Sequence, residues 1–214
     1  MKITENPWRD IPKQAPFWLP CDEPYIEYFN KVTTDSFKIR ENSFPEPYLG
    51  NPEAPVVLLL VNPGGGDVDK DVPTPPEIKD ALRREYESSV PMPSHLHLSS
   101  ETKTTGRAWW NGICKSLERD VGPDLLHSRI LSIEFSAYHS KSFGHGGLRL
   151  PSQQFSFAMV RSAIGRGATI VGVRGKRHWC GAIPELGGYS KCHWATNPVL
   201  LPSHEEIFPI RTST

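Results

Sequence analysis

The stretch "VVLLLVNPGGGD", residues 56–67, constrains the possible folds of this chain more than any other segment. Its first six residues are all valine or leucine, a continuous run that reads as a strand buried on both faces, as in a parallel sheet. Such a strand needs cover on both sides, which points to an α/β layer architecture. The run stops at Asn62 and Pro63 and enters three glycines. A chain ends a buried strand this way for one of two reasons. It needs a tight turn, or something must approach its backbone where side chains would stand.

The rest of the chain repeats the strand–helix alternation. "RILSIEFSAY" at 129–138 reads as a second strand, "ATIVGV" at 168–173 as a third and "KCHWAT" at 191–196 as a last one. Between them, "TGRAWWNGICKSLERD" at 105–120 places Trp109, Ile113 and Leu117 at helical spacing. "LPSQQFSFAMVRSAIGRG" at 150–167 reads as a helix with Ser152 as N-cap and Gly165 or Gly167 as its stop. "RGKRHWCGAIP" begins another helix directly after the third strand. This order predicts a three-layer α/β/α fold with a central, mostly parallel four-stranded sheet. Ligands of such sheets bind at the carboxyl ends of the strands. The turn at 62–66, the loop after Glu134, the "RGKRH" stretch and the loop at 197–208 all fall on that edge.

The flanking segments are read as parts of one 214-residue domain. Residues 1–50, rich in proline and aromatics, predict a short helix wrapped against the body. Residues 67–105 form a long polar insertion broken by prolines, with "EIKDALRREYESS" as an exposed helix inside it. A connection that long usually has a function or is disordered. Equal numbers of basic and acidic residues, 24 each, argue against a strong sequence-blind grip on nucleic acid. They leave room for a local patch, and Arg174, Lys176, Arg177 and His178 form one, readable equally as a solvated face. The four cysteines show no C-x-x-C pair, so they read as buried free thiols, with no metal and no cofactor expected. "HWC" at 178–180 and "CHW" at 192–194 would supply metal ligands only if they met in space. The start "MKITENPWRD" has no apolar core of a signal peptide, and no apolar run is long enough to span a membrane. A cytoplasmic, reduced, monomeric protein without a membrane partner is the expectation.

Three glycines suggest a phosphate loop, but no Gly-Lys-Ser/Thr follows, and G-x-G-x-x-G is absent. The wider pattern is more specific. "LLLVNPGGG" resembles the first motif of the uracil-DNA glycosylase superfamily, whose mismatch-specific branch ends a buried strand in Gly-x-Asn-Pro-Gly. Four further stretches resemble that superfamily's motifs in the same order. "GRAWW" at 106–110 resembles its Asn-Arg-Phe-Trp stretch, and "ILSIEF" at 130–135 the strand that ends in a base-reading Asn. "GATIVGVRGKRHW" at 167–179 resembles the strand and glycine-containing turn that follow, and "LLPSHEEIF" at 200–208 the last, DNA-pressing motif. The resemblance covers roughly residues 50–210.

The resemblance implies an enzyme that flips a nucleotide into a pocket and hydrolyses its N-glycosidic bond. On this chain it implies that Asn62 holds the attacking water, as a neutral amide that orients without acting as a strong base. Pro63 fixes the turn, Gly64 and Gly65 let the backbone reach the flipped base, and Glu134 reads the base edge. Trp110 is a candidate to stack on the base, although adjacent helix positions cannot both face inward, so one of Trp109 and Trp110 is core. His139 is a further base contact in a loop with Tyr138, Lys141 and His145. Arg174, Lys176, Arg177, Pro202, Ser203 and His204 are the expected DNA contacts. Two departures matter. Glu134 replaces the usual Asn, and a carboxylate there suits an exocyclic amine better than uracil unless it is protonated or turned away. Otherwise Glu134 reads as a partner of Arg129 or Arg174. Leu201 replaces the histidine that stabilises the leaving base, a role open to His204 or His139. The alternatives are a non-catalytic nucleotide or nucleic-acid binder on the same fold, and another hydrolase built on Ser203, His204 and Glu205. Consecutive residues rarely form a working triad.

Overall fold

The computed structural model describes residues 5–64, 73–88, 95–98 and 106–195. The described elements are α/β in class: a five-stranded mixed sheet and six α-helices. The strands are β1 (Tyr48–Gly50), β2 (Val56–Leu60), β3 (Ile130–Glu134), β4 (Thr169–Gly172) and β5 (Cys192–Trp194). The helices are α1 (Glu23–Val32), α2 (Pro76–Glu87), α3 (Arg107–Val121), α4 (Pro123–Arg129), α5 (Gln153–Gly165) and α6 (Lys176–Ala182). The strand order is β1-β3-β2-β4-β5. β3, β2, β4 and β5 run parallel, and β1 pairs antiparallel with β3, Tyr48 opposite Ile133. The four-stranded expectation is therefore corrected by an edge strand. Three residues in a proline-rich, aperiodic stretch carry no period-2 signal, so only their pairing with β3 reveals them.

The valine–leucine run behaves as its composition demands. Every residue of β2 is buried. Val57 and Leu59 join a large core with α1, α2, α5 and α6, whereas Val56, Leu58 and Leu60 face Trp110, Ile113 and Cys114 of α3 and Leu126 of α4. Strand alternation thus feeds two cores on opposite faces. In the N-terminal segment Trp8, Phe17, Leu19, Ile26, Ile39 and Phe44 all lie in the larger core. Two hydrogen bonds to Asp22 tie it down, one from the Tyr138 hydroxyl at 2.8 Å and one from the Ser152 amide at 3.1 Å. Ser152 is the N-cap of α5, as expected, but its side chain makes no cap bond, its backbone being helical at φ −63° and ψ −25° where a capping residue is extended. α2 is not an exposed helix: Ile78, Leu82 and Tyr86 are buried in the core, a face that its charged residues mask in sequence. Of the four cysteines, all free, only Cys114 is fully buried and Cys21 is exposed. No described helix is long and apolar enough to cross a membrane.

The topology also locates the crevice. β2 connects to β3 on one side, and the chain then crosses to β4 on the other. The strand order therefore reverses between β2 and β4, the switch point at which α/β sheets bind ligands. Asn62 follows β2 and Arg174 follows β4 at that point.

Candidate functional site

Three neighbouring strands end on this edge of the sheet, β2 and β4 flanking the switch point and β3 on the far side of β2. β2 delivers Asn62, β3 delivers Glu134 and β4 delivers Arg174. The β2–β3 ladder pairs Leu60 with Glu134 and continues past both strands, with Phe135 N–H donating to Leu60 O and Ser136 N–H to Val61 O. The backbones around Asn62 and Glu134 are therefore fixed relative to one another. At β4 the turn is held by Gly175, whose φ of +75° favours glycine. A Cβ at Gly175 would overlap Val61 Cγ1, so the turn closes directly onto the residue before Asn62.

The Asn62 side chain is oriented by a network that sequence reasoning missed. Its Nδ2 donates to Ser140 Oγ at 3.1 Å and to Pro63 O at 3.2 Å, with Ser140 O at 3.5 Å. Ser140 Oγ spends its own hydrogen on Ser142 O at 3.0 Å. It is therefore an acceptor toward Asn62, and all three neighbours of the amide nitrogen accept. That fixes the amide: its N–H groups face Ser140, and its carbonyl oxygen faces the other way. Beside it Pro63 is buried and Gly64 exposed, and among the described residues a Cβ placed on Gly64 would meet nothing within 4 Å.

Glu134 is only 8% exposed, and its Oε2 has no hydrogen-bond partner. Among the described residues it makes no ion pair, so the expected partnership with Arg129 or Arg174 does not form. Burial, reinforced by the negative charge of Glu46 and only partly offset by Arg174, pushes its carboxyl well above the ordinary range. Glu46, in the segment before β1, is the opposite case. His97 Nε2 lies 3.1 Å from its Oε2, and His139 Nε2 lies 3.7 Å from its Oε1. Burial alone would raise Glu46, but the attraction and hydrogen bond of His97, with His139, prevail and hold it below the ordinary range.

His139 is buried. Its Nε2 donates to Phe44 O at 3.1 Å, its backbone carbonyl accepts from Arg40 N–H at 2.9 Å, and burial lowers its pKa. Tyr138 and His145 are likewise buried, and Lys141 is exposed. The loop's contribution to the strand ends is Ser140, whose neighbours 137–139 are strapped to residues 40–46. The hydrogen bond from Glu46 N–H to Ala137 O, at 2.8 Å, is part of that strap. No local sequence pattern marks Ser140, because its partner is 78 residues away.

Trp110 is core: 5% exposed, with the His95 ring edge-on at 4.4 Å and the His97 ring stacked at 6.3 Å. Trp109 is 41% exposed. The buried arc of α3 therefore runs through Trp110, Ile113 and Cys114, one position on from the predicted Trp109 face. His95 Nε2 meets Ser132 Oγ at 2.9 Å, so polar groups line the α3 side of β3 below Glu134. Arg174, Lys176 and Arg177 are exposed in one row leading from β4 into α6, with Lys176 Nζ 5.9 Å from the centre of the Trp194 ring. Gly65, Pro202, Ser203 and His204 lie outside the described residues. Compared with protein-family models, curated proteins and solved structures, the chain matches none.

Proposed function

We propose that this chain is a divergent N-glycosylase of the uracil-DNA glycosylase type, acting on a damaged or mispaired base flipped out of DNA. The locked amide of Asn62 carries the proposal. Its N–H groups are held by Ser140 and Pro63, so its carbonyl oxygen is free to accept a hydrogen bond from a water at the switch point. In the reaction that water's oxygen bonds to the sugar C1′ as the C1′–N bond breaks. The bonding pair leaves with the base, the water's proton passes to solvent, and the base anion is protonated after departure. Exposed Gly64, the unpartnered carboxyl of Glu134 and the basic row at Arg174, Lys176 and Arg177 support binding of the base and of the phosphates around it. The four parallel strands with helices on both faces agree with the sandwich that the resemblance implies.

A second reading keeps the pocket and drops the chemistry: a nucleotide or nucleic-acid binding protein. Its support is that Asn62 is a neutral amide whose hydrogen-bond partners are carbonyls and a hydroxyl, and that the chain has no net charge. The two readings separate in one assay. Labelled single- and double-stranded oligonucleotides carrying uracil, hypoxanthine, xanthine or a G·T or G·U mismatch are incubated with the protein, and abasic sites are cleaved with alkali. Strand breakage that Asn62→Ala abolishes is the expected result. Binding without breakage on every substrate would leave the second reading.

A further inference from the structure

We infer that Cys180 and Cys192 form a dithiol site that closes to an intramolecular disulfide on oxidation, tying α6 to the edge strand β5. The stretches "HWC" at 178–180 and "CHW" at 192–194 can act together only if the fold makes them meet. β4, α6 and β5 form one strand–helix–strand unit whose strands run parallel, so α6 returns antiparallel to both. Cys192 lies opposite Ile170, and Trp194 opposite Gly172. The Trp194 ring takes the place of a Gly172 side chain, since a Cβ there would overlap it. Cys192, two residues before Trp194, stands on the same face of the sheet. Ile170 belongs to the core on that face, and Cys180, Cys192 and Trp194 all pack against it. The level of α6 over β5 is set by Lys176, whose Nζ lies 5.9 Å from the centre of the Trp194 ring. One turn along α6 leads from Lys176 to Cys180, an advance of about 6 Å. Two residues back along β5 lead from Trp194 to Cys192, about 6.6 Å. Helix and strand are antiparallel, so both steps run the same way and bring the two cysteines to one level.

The two histidines of these stretches do not join the cysteines. His193 alternates with Cys192 and so takes the opposite face, and the His178 ring packs on Gly146 and Phe143. Among the described residues no three His, Cys, Asp or Glu side chains are grouped to hold a metal ion. A pair of thiols is what remains, and its chemistry is redox. Both are free and partly exposed, unlike the sealed Cys114, so a small oxidant reaches them. The closing step balances with hydrogen peroxide. The two S–H groups give up two protons and two electrons, the S–S bond forms, and the peroxide is reduced to two waters. Burial first, then the neighbouring Cys180, push the Cys192 thiol up to about 11, with Lys176 opposing. Oxidation proceeds through the thiolate, so closure is slow at neutral pH and quickens as pH rises. A reducing compartment keeps the site open. Closure fixes the helix that carries Lys176 and Arg177 to the edge of the sheet, and it restricts the unfolded chain between residues 180 and 192. The pair takes no part in the proposed reaction.

The test treats the folded full chain with hydrogen peroxide at a dose that oxidises the exposed Cys21, then alkylates it and maps its peptides without reduction. The expected result is a peptide containing Cys180 joined to one containing Cys192 within a single chain, lighter by two hydrogens and separated by dithiothreitol. The thermal midpoint of the oxidised protein should rise by about 5–10 °C and return on reduction. Cys180→Ser and Cys192→Ser, both at partly exposed positions, should show no such rise. Recovery of Cys180 and Cys192 as alkylated thiols or as two separate sulfinic acids overturns the inference. So does a bond from either one to Cys21, to Cys114 or to a second chain. The wild-type peptide map decides even where a serine variant fails to fold.

Discussion

Glu46 and Glu134 differ in one respect that separates the two ends of the site. Glu134 is buried and Glu46 partly so, both on the β1–β3 side of the sheet, and the charge of Glu46 reaches Glu134. Glu46 sits in the strap formed by residues 40–46, where two histidine rings face its oxygens. Glu134 sits at the strand ends, where the described chain offers one of its oxygens nothing. The difference teaches how to tell a structural carboxylate from a working one. The strap gives its carboxylate partners, whereas the strand end leaves one carboxyl oxygen without one, which on the proposed reading a bound base would supply.

The largest expected effect is on the strap. Glu46→Ala leaves His97 and His139 without their shared partner, and breaking a buried pair in this way costs about 3–5 kcal/mol, read as a lowered midpoint in urea unfolding. Glu134→Gln, at the other end, is expected to change stability by less than about 1 kcal/mol, because no described partner is lost. Equal losses would collapse the contrast between the two carboxyls.

Glu85 of α2 lies between the two cases. It has one partner, the Gly50 N–H at 2.9 Å, yet burial pushes its carboxyl up to about 8, with Glu46 adding to the shift and the Gly50 bond opposing it. Because its folded pKa lies above its unfolded value, the folded state holds an extra proton from pH 4.5 to about 8. Stability therefore falls as pH rises through that window and levels off above it, a change of a few kcal/mol. Glu85→Gln should flatten this slope in unfolding curves taken at successive pH values. An unchanged slope would show that Glu85 titrates normally.

Two glycines repeat the contrast on a smaller scale. Gly175→Ala must accommodate a positive φ and an overlap with Val61, and a loss of about 1–3 kcal/mol is expected in thermal unfolding. Gly64→Ala meets no described atom within 4 Å and should leave stability within about 0.5 kcal/mol while impairing base release. A destabilised Gly64→Ala protein with full activity would remove Gly64 from the site. The smallest effect belongs to the basic row. Lys176→Ala should weaken DNA binding uniformly across sequences and reduce the slope of log affinity against log salt by about 1, measured by fluorescence anisotropy.

Much of the parallel framework was legible in the sequence. The valine–leucine run and the stretches that become β3 and β4 stand where composition puts them, because buried parallel strands have a strong compositional signature, and α3, α5, α6 and the half-buried β5 stand where the sequence places them. Asn62, Glu134 and Arg174 were legible as strand-end residues for the same reason. The rest was not. β1 is too short and too irregular in its surroundings to announce itself. The buried face of α3 was misjudged by one position, since adjacent tryptophans give no phase. Ser140, Glu46 and His97 gain their roles from contacts far apart in sequence, and Glu134's unpartnered state is a property of what does not surround it.

The most direct measurement is single-turnover base release from a uracil-containing oligonucleotide by wild type, Ser140→Ala and Asn62→Ala, with DNA affinity measured alongside. Loss of a positioned water should lower the Asn62→Ala rate by about 10²–10⁴-fold at unchanged affinity. Ser140→Ala, which frees the amide without removing it, should fall between the two. A wild-type rate in Asn62→Ala, or parallel losses of rate and affinity in both variants, would contradict the central claim that a locked amide at the end of β2 prepares a water for attack.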